Sequence, residues 1–242
     1  MNTTLDNSQA WITIRATPSA PAVGLSPLSG EVLAKWVRSH TSPWPAPIPI
    51  GAEKPHAGPG VFTFSPDEPA GRYEFNAHTD GSSSLRLPAG GSRRNPTDGE
   101  TVWAIGEGAL AWISIAAVRL ASAHASRLGC RGDLSVEIGL GESTPTTTFP
   151  YEIWNRGNDG FHPVGTRVPS VRPCRSEFSL VDSGTAELPS LVRPLLIDLL
   201  GRFGLTDSRH IDVDGVVRRR NFTGHDDRIR SWTTAIGLAS KP

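Results

Sequence analysis

Gly106-Glu107-Gly108-Ala109-Leu110-Ala111 is the stretch whose residue types and spacing come nearest to a known chemistry. It fits the pattern Gly-x-Gly-x-x-Ala, follows a strand-like run and opens a long helical one. In a dinucleotide fold such glycines allow a tight turn and let a pyrophosphate approach the helix start, where unpaired amides and the helix dipole favour an anion. Gly106, Gly108 and Ala111 are therefore the candidate cofactor-binding residues of a nucleotide-binding enzyme. Two features oppose that use. Glu107 adds negative charge where the phosphate would sit. The ribose-binding acid expected about 20 residues further on is also missing, because Arg119 to Arg131 holds no Asp or Glu. A strand-to-helix turn with a glycine-softened entry accounts for the same residues without a cofactor.

A second set lies near the C-terminus: Arg218, Arg219, Arg220, Phe222, Arg228, Arg230 and Trp232. Guanidinium groups on phosphates and two rings stacked on bases would make nucleic acid a partner. Asp212, Asp214, Asp226 and Asp227 are interleaved with them and offset much of that field. The third set is the proline-rich run around Trp44, Pro45, Pro47 and Ile48. Alternate prolines remove amide donors and keep a chain extended, the form in which such segments dock in aromatic-lined grooves of protein partners. The same run can serve as a rigid connector with Trp44 packed back on the core.

Catalytic residues are not signalled. The seven histidines are scattered, with no zinc-binding spacing. His225-Asp226-Asp227 contains the His-Asp dipeptide of phosphohydrolases but lacks an upstream histidine on a helix. Gly139-Leu140-Gly141-Glu142-Ser143 has its serine in the wrong place for a nucleophile elbow.

The elements that must position these groups follow from hydrophobic period and turn residues. Strands are expected at Trp11 to Ile14, Val61 to Phe64, Val102 to Ile105, Leu134 to Ile138, Phe149 to Trp154 and Glu177 to Val181. Arg72 to His78 and Ser83 to Leu87 read as a hairpin turned by Asp80-Gly81. Gly90 to Gly99 reads as a polar loop. Helices are expected from Gly30 to about His40, capped by Ser29, from Glu107 to Leu128, and within Glu187 to Phe203, where Pro194 must kink the helix or start it. This order is not a regular βαβ alternation. It predicts an α+β fold, a mostly antiparallel sheet packed against two main helices. Residues 1–9 read as a disordered leader, 10–220 as one domain with a proline-rich loop at 41–60, and 221–242 as a weakly structured tail.

The 242 residues carry 24 basic and 24 acidic side chains, so the chain as a whole is neither a basic nucleic-acid binder nor an acidic tail. The polar N-terminus lacks the pattern of a signal peptide, which points to the cytoplasm. Cys130 and Cys174 are then expected to be free thiols. The apolar run Ala109 to Val118 ends at Arg119, short of the roughly 20 residues a bilayer needs, and reads as a core helix.

Trp11-Ile12-Thr13-Ile14-Arg15-Ala16-Thr17-Pro18, Trp44-Pro45-Ala46-Pro47-Ile48-Pro49 and the tyrosine-bearing hairpin with Asp80-Gly81-Ser82 together resemble a known arrangement. It is the region following the Schlafen-type AlbA domain in large bacterial ATP-binding proteins. The alanine-rich helix, the Gly132-Asp133 entry and Asp212 to Arg220 fit the same pattern. The AlbA domain itself, which would carry nucleotide or nucleic-acid chemistry, is missing. What the resemblance implies is a free-standing accessory region beside a partner enzyme, with no family catalytic residue to carry over. The expected function is therefore a non-catalytic interaction or regulatory module of a bacterial multi-protein system.

Overall fold

The structure is a computed structural model and describes residues 9–22, 29–66, 73–142, 149–157, 160–222 and 224–242. All of the expected leader except Gln9 lies outside the described residues. The chain forms an α+β fold in which a largely antiparallel sheet is packed against helices.

The sheet is built around β1 (Gln9–Ala20) and β5 (Ser83–Arg94), paired antiparallel. Ile12, Ile14 and Ala16 of β1 point inward while Arg15 is exposed, the alternation of a strand buried on one face. On its far side β1 pairs with β7 (Arg131–Glu142), and β7 pairs with the edge strand β10 (Cys174–Ser179). The other edge of β5 changes partner along its length. Ser83 to Arg86 pair with β4 (Glu74–His78), which leads to β3 (Val61–Phe64) and β2 (His56–Gly58). Gly90 to Arg94 pair instead with β6 (Thr101–Gly106). The sheet forks at this change.

A Cβ on Gly90 would run into the Ala104 carbonyl oxygen, so the fork needs glycine there. For this reason Gly90 to Arg94, expected as loop, is strand: the glycines admit a neighbouring backbone instead of ending the element. Beyond β6, the branch continues with β8 (Tyr151–Gly157), parallel to β6, and then β9 (Gly160–Val168), antiparallel to β8.

Among the described residues, four α-helices complete the fold. α1 (Gly30–Thr41) is capped by Ser29, whose side chain accepts from the Val32 amide. α2 (Glu107–Arg127) starts directly at the end of β6 and touches the sheet on one side and α3 (Leu188–Gly201) on another. Being enclosed explains its composition: alanines at 111, 116, 117, 121 and 125 let neighbouring backbones come close, and all five are buried. By length and composition α2 could cross a membrane, but 72% of its most apolar window is buried inside the fold. In α3, Pro189 occupies the first turn, where a missing amide costs little, and Pro194 lies inside the helix.

The C-terminal residues depart from the weakly structured tail expected of them. Asp226–Ala235 form α4, and Ser240–Lys241 form β12, paired in parallel with β11 (Val217–Arg218). Ile229, Trp232 and Thr233 fall at helical spacing and are buried, and Lys241 reaches Asp212 at 2.5 Å. Two large apolar positions among charged and polar ones gave too weak a periodic signal for the helix to be read from sequence.

Candidate ligand-binding cavity

A cavity of about 1140 Å³ opens where β6 and β8 end and α2 begins. The carboxyl ends of parallel strands, with a helix starting beside them, are the customary place for ligands in α/β sheets. Ala89, Gly90 and Gly91 of β5 and Ala104 and Gly106 of β6 form its small-residue side. Trp154, Asn155 and Arg156 come from β8, and Phe161 from β9. Asn221, Phe222, His225 and Ile229 complete the lining.

Members of three sequence candidates that lie far apart in the chain thus line one cavity. Gly106 and Gly108 of the glycine turn line the cavity, whereas Ala111 is buried one turn deeper. Pro45 and Ala46 of the proline-rich run line it too. The Trp44 ring is only 7% exposed and stands edge-on to Trp112, with centroids 5.9 Å apart, so it packs the cavity wall from behind. Pro47 is exposed and Ile48 half-buried. From the arginine-rich stretch, Phe222 lines the cavity but Trp232 is buried, so neither ring stands out as a base-stacking platform. Arg219 is buried near Asp226, Arg230 pairs with Asp226 and Asp227, and Arg218 lies 3.8 Å from Asp212. Arg220 and Arg228 are exposed.

Glu107, which sequence reasoning set against a phosphate, does not face the cavity. Its buried carboxylate accepts from Asn155 Nδ2 at 2.6 Å, the Arg209 amide at 2.8 Å and Ser208 Oγ at 3.2 Å, and lies 3.1 Å from His210 Nδ1. Burial alone would raise this carboxyl group, but the hydrogen bond and charge of His210, with the Asn155 and Arg209 donors, hold it below its ordinary value. His210 Nε2 is 3.1 Å from the Asn221 carbonyl oxygen. Both ring nitrogens are thus engaged inside the wall. Gly108 makes room for this ring: a Cβ there would sit 3.0 Å from His210 Nε2 and 3.4 Å from Phe222.

No aspartate or glutamate is among the described residues that line the cavity. Arg93, Arg94 and Arg156 do line it, all exposed, and none has a carboxylate partner among the described residues. Arg93 lies over the rings of Phe161, at 5.5 Å, and Trp154, at 6.0 Å. Gly106 offers no side-chain cap, so the first amides of α2 are left to whatever occupies the space in front of them.

No family model, curated protein or solved structure matches this chain.

Cationic side chains, a helix start and exposed ring surface in one cavity with no acid among its described lining residues can bind an anion that carries an apolar or planar body. Metal binding has no comparable support, since the described residues hold no cluster of three His, Cys, Asp or Glu side chains. Arg93, Arg94, Arg156 and Phe161 escaped sequence reasoning. Nothing in the sequence says which arginines lack an acid.

Proposed function

We propose that this chain is a regulatory accessory module that binds a small organic anion in the cavity at the start of α2. The observation that carries this reading is the charge balance of the wall: three guanidinium groups without a carboxylate partner and no acid among the described lining residues. Guanidinium groups around one cavity raise the local concentration of anions and favour an anionic occupant.

Binding is favoured over chemistry by the way the ionisable groups are used. Glu107 accepts four hydrogen bonds inside the wall, and both nitrogens of His210 are engaged, so neither is free to move a substrate proton. Both thiols lie outside the cavity lining and are buried. Because Asn221, Phe222, His225 and Ile229 line the cavity together with sheet residues, an occupant also ties the C-terminal segment to the sheet, which gives binding a route to an outer surface.

Thermal unfolding in the presence of nucleotides, sugar phosphates and aromatic carboxylates tests this. At least one class is expected to raise the midpoint in a concentration-dependent way. High salt should reduce the rise, and Arg156→Ala should abolish it. A midpoint indifferent to every anion would overturn the proposal.

A further inference from the structure

Resting on the anion-binding role proposed above, we infer that the occupant is a nucleoside di- or triphosphate, with its phosphates on Arg94 and Arg156 and its base against the Phe161–Arg93 pair. Charge is the first reason. A single carboxylate would satisfy one of the three guanidinium groups that lack a carboxylate partner among the described residues, whereas a di- or triphosphate carries enough charge for all of them. Guanidinium forks also match phosphate oxygens in pairs.

The second reason is Phe161. Trp112, Trp154 and Phe222 are buried in the wall, but Phe161 is 45% exposed and its ring lies next to the Arg93 guanidinium. An exposed ring beside a guanidinium plane is a surface on which a base stacks whatever its edge pattern. Size is the third. A cavity of about 1140 Å³ is far larger than a lone phosphate needs and stands at the upper end of small-molecule sites.

A single-stranded nucleic acid shares this chemistry but is disfavoured. Phe222 and Trp232, the rings that would continue a stack along the strand, are buried, and Arg219 and Arg230 are engaged with Asp226. With no carboxylate in the described wall to accept ribose hydroxyls, ribo- and deoxyribonucleotides should bind about equally well.

Calorimetric titration of the full chain with ADP, GDP, dADP, adenosine, pyrophosphate, citrate and a twelve-residue oligothymidylate tests the assignment. ADP and GDP are expected to bind, dADP to match ADP, and adenosine to bind at least about tenfold more weakly. Arg156→Ala should weaken ADP about tenfold or more, with Arg156→Lys recovering part of the loss. Phe161→Ala should weaken ADP and leave pyrophosphate unchanged. Both side chains are exposed, so a matching unfolding midpoint will show that these variants fold.

Pyrophosphate binding as tightly as ADP, with Phe161→Ala silent, would overturn the nucleotide assignment. So would an oligothymidylate that binds more tightly than any mononucleotide with steep salt dependence. Citrate bound through Arg156 while no nucleotide binds would sink the nucleotide and leave the anion cavity standing. Failure of every anion would sink both.

Discussion

Arg167 and the three cavity arginines sit on or beside the forked branch of the sheet and are treated in opposite ways. Arg167 of β9 has three carboxylates: Glu152 at 2.7 Å, Asp98 at 2.7 Å and Glu100. Glu152 is buried and also accepts from Asn95 and from Trp154 Nε1, so this network ties β9 and β8 to the connection between β5 and β6. Arg93, Arg94 and Arg156 have no such partner among the described residues and face the cavity instead. The difference separates a charge that holds the branch together from charges left available to an occupant. Composition alone gives both groups the same description.

The strongest way to break this contrast is to spoil the wall behind the unpaired arginines. Glu107→Ala leaves His210 buried without its acid and should cost about 3–5 kcal/mol in urea unfolding. An unchanged free energy would mean that the pair does not hold the wall. Trp44→Ala, which removes the ring behind the cavity without touching either arginine group, should cost a comparable ~3–5 kcal/mol. The contrast itself is sharpened by two variants measured side by side. Arg167→Ala should lower the thermal midpoint and leave anion binding intact, and Arg156→Ala should do the reverse. If both variants lower the midpoint and spare binding, the two groups are one kind.

A smaller effect is expected with pH. The Glu107 carboxyl is held below its unfolded value of about 4.5, so its contribution is fully present above that value and is lost as pH falls through the folded one. The midpoint should therefore drop on acidification below about pH 4.5, and less steeply in Glu107→Gln. Smallest is the response of the thiols. Burial raises Cys130 and pushes Cys174 up to about 11, so neither should alkylate at pH 7 until the protein unfolds.

Much of the fold was legible from sequence because its signals are local. Ser29 announces α1, the alternation in β1 and β4 announces half-buried strands, and α2 announces itself by length. β9 was not legible, since Gly160, Pro163 and Gly165 read as loop residues. Its place is secured through tertiary contacts: the Thr166 amide donates to the Phe203 carbonyl oxygen, and Arg167 joins its carboxylates. Of the cavity, Gly106 and Gly108 were visible because a helix start has a sequence pattern. Arg93 and Arg156 were not, because being unpaired depends on which acids the fold brings near. Glu107 shows the same limit from the other side. Sequence placed its charge beside the ligand, whereas the fold turns it toward His210.

The parallel pairing of β6 with β8 has a consequence for the order in which the molecule is made. Trp103 must wait for Tyr151, with all of α2 and β7 between them, and Asn221, Phe222, His225 and Ile229 join the lining later still. Closing so long a loop is slow because its entropy is spent before its contacts form. A chain emerging from the ribosome thus completes the β3–β4–β5 hairpins well before it has a cavity. Any occupant arrives after the last wall is in place, where it slows unfolding of the finished protein and does nothing for the nascent one.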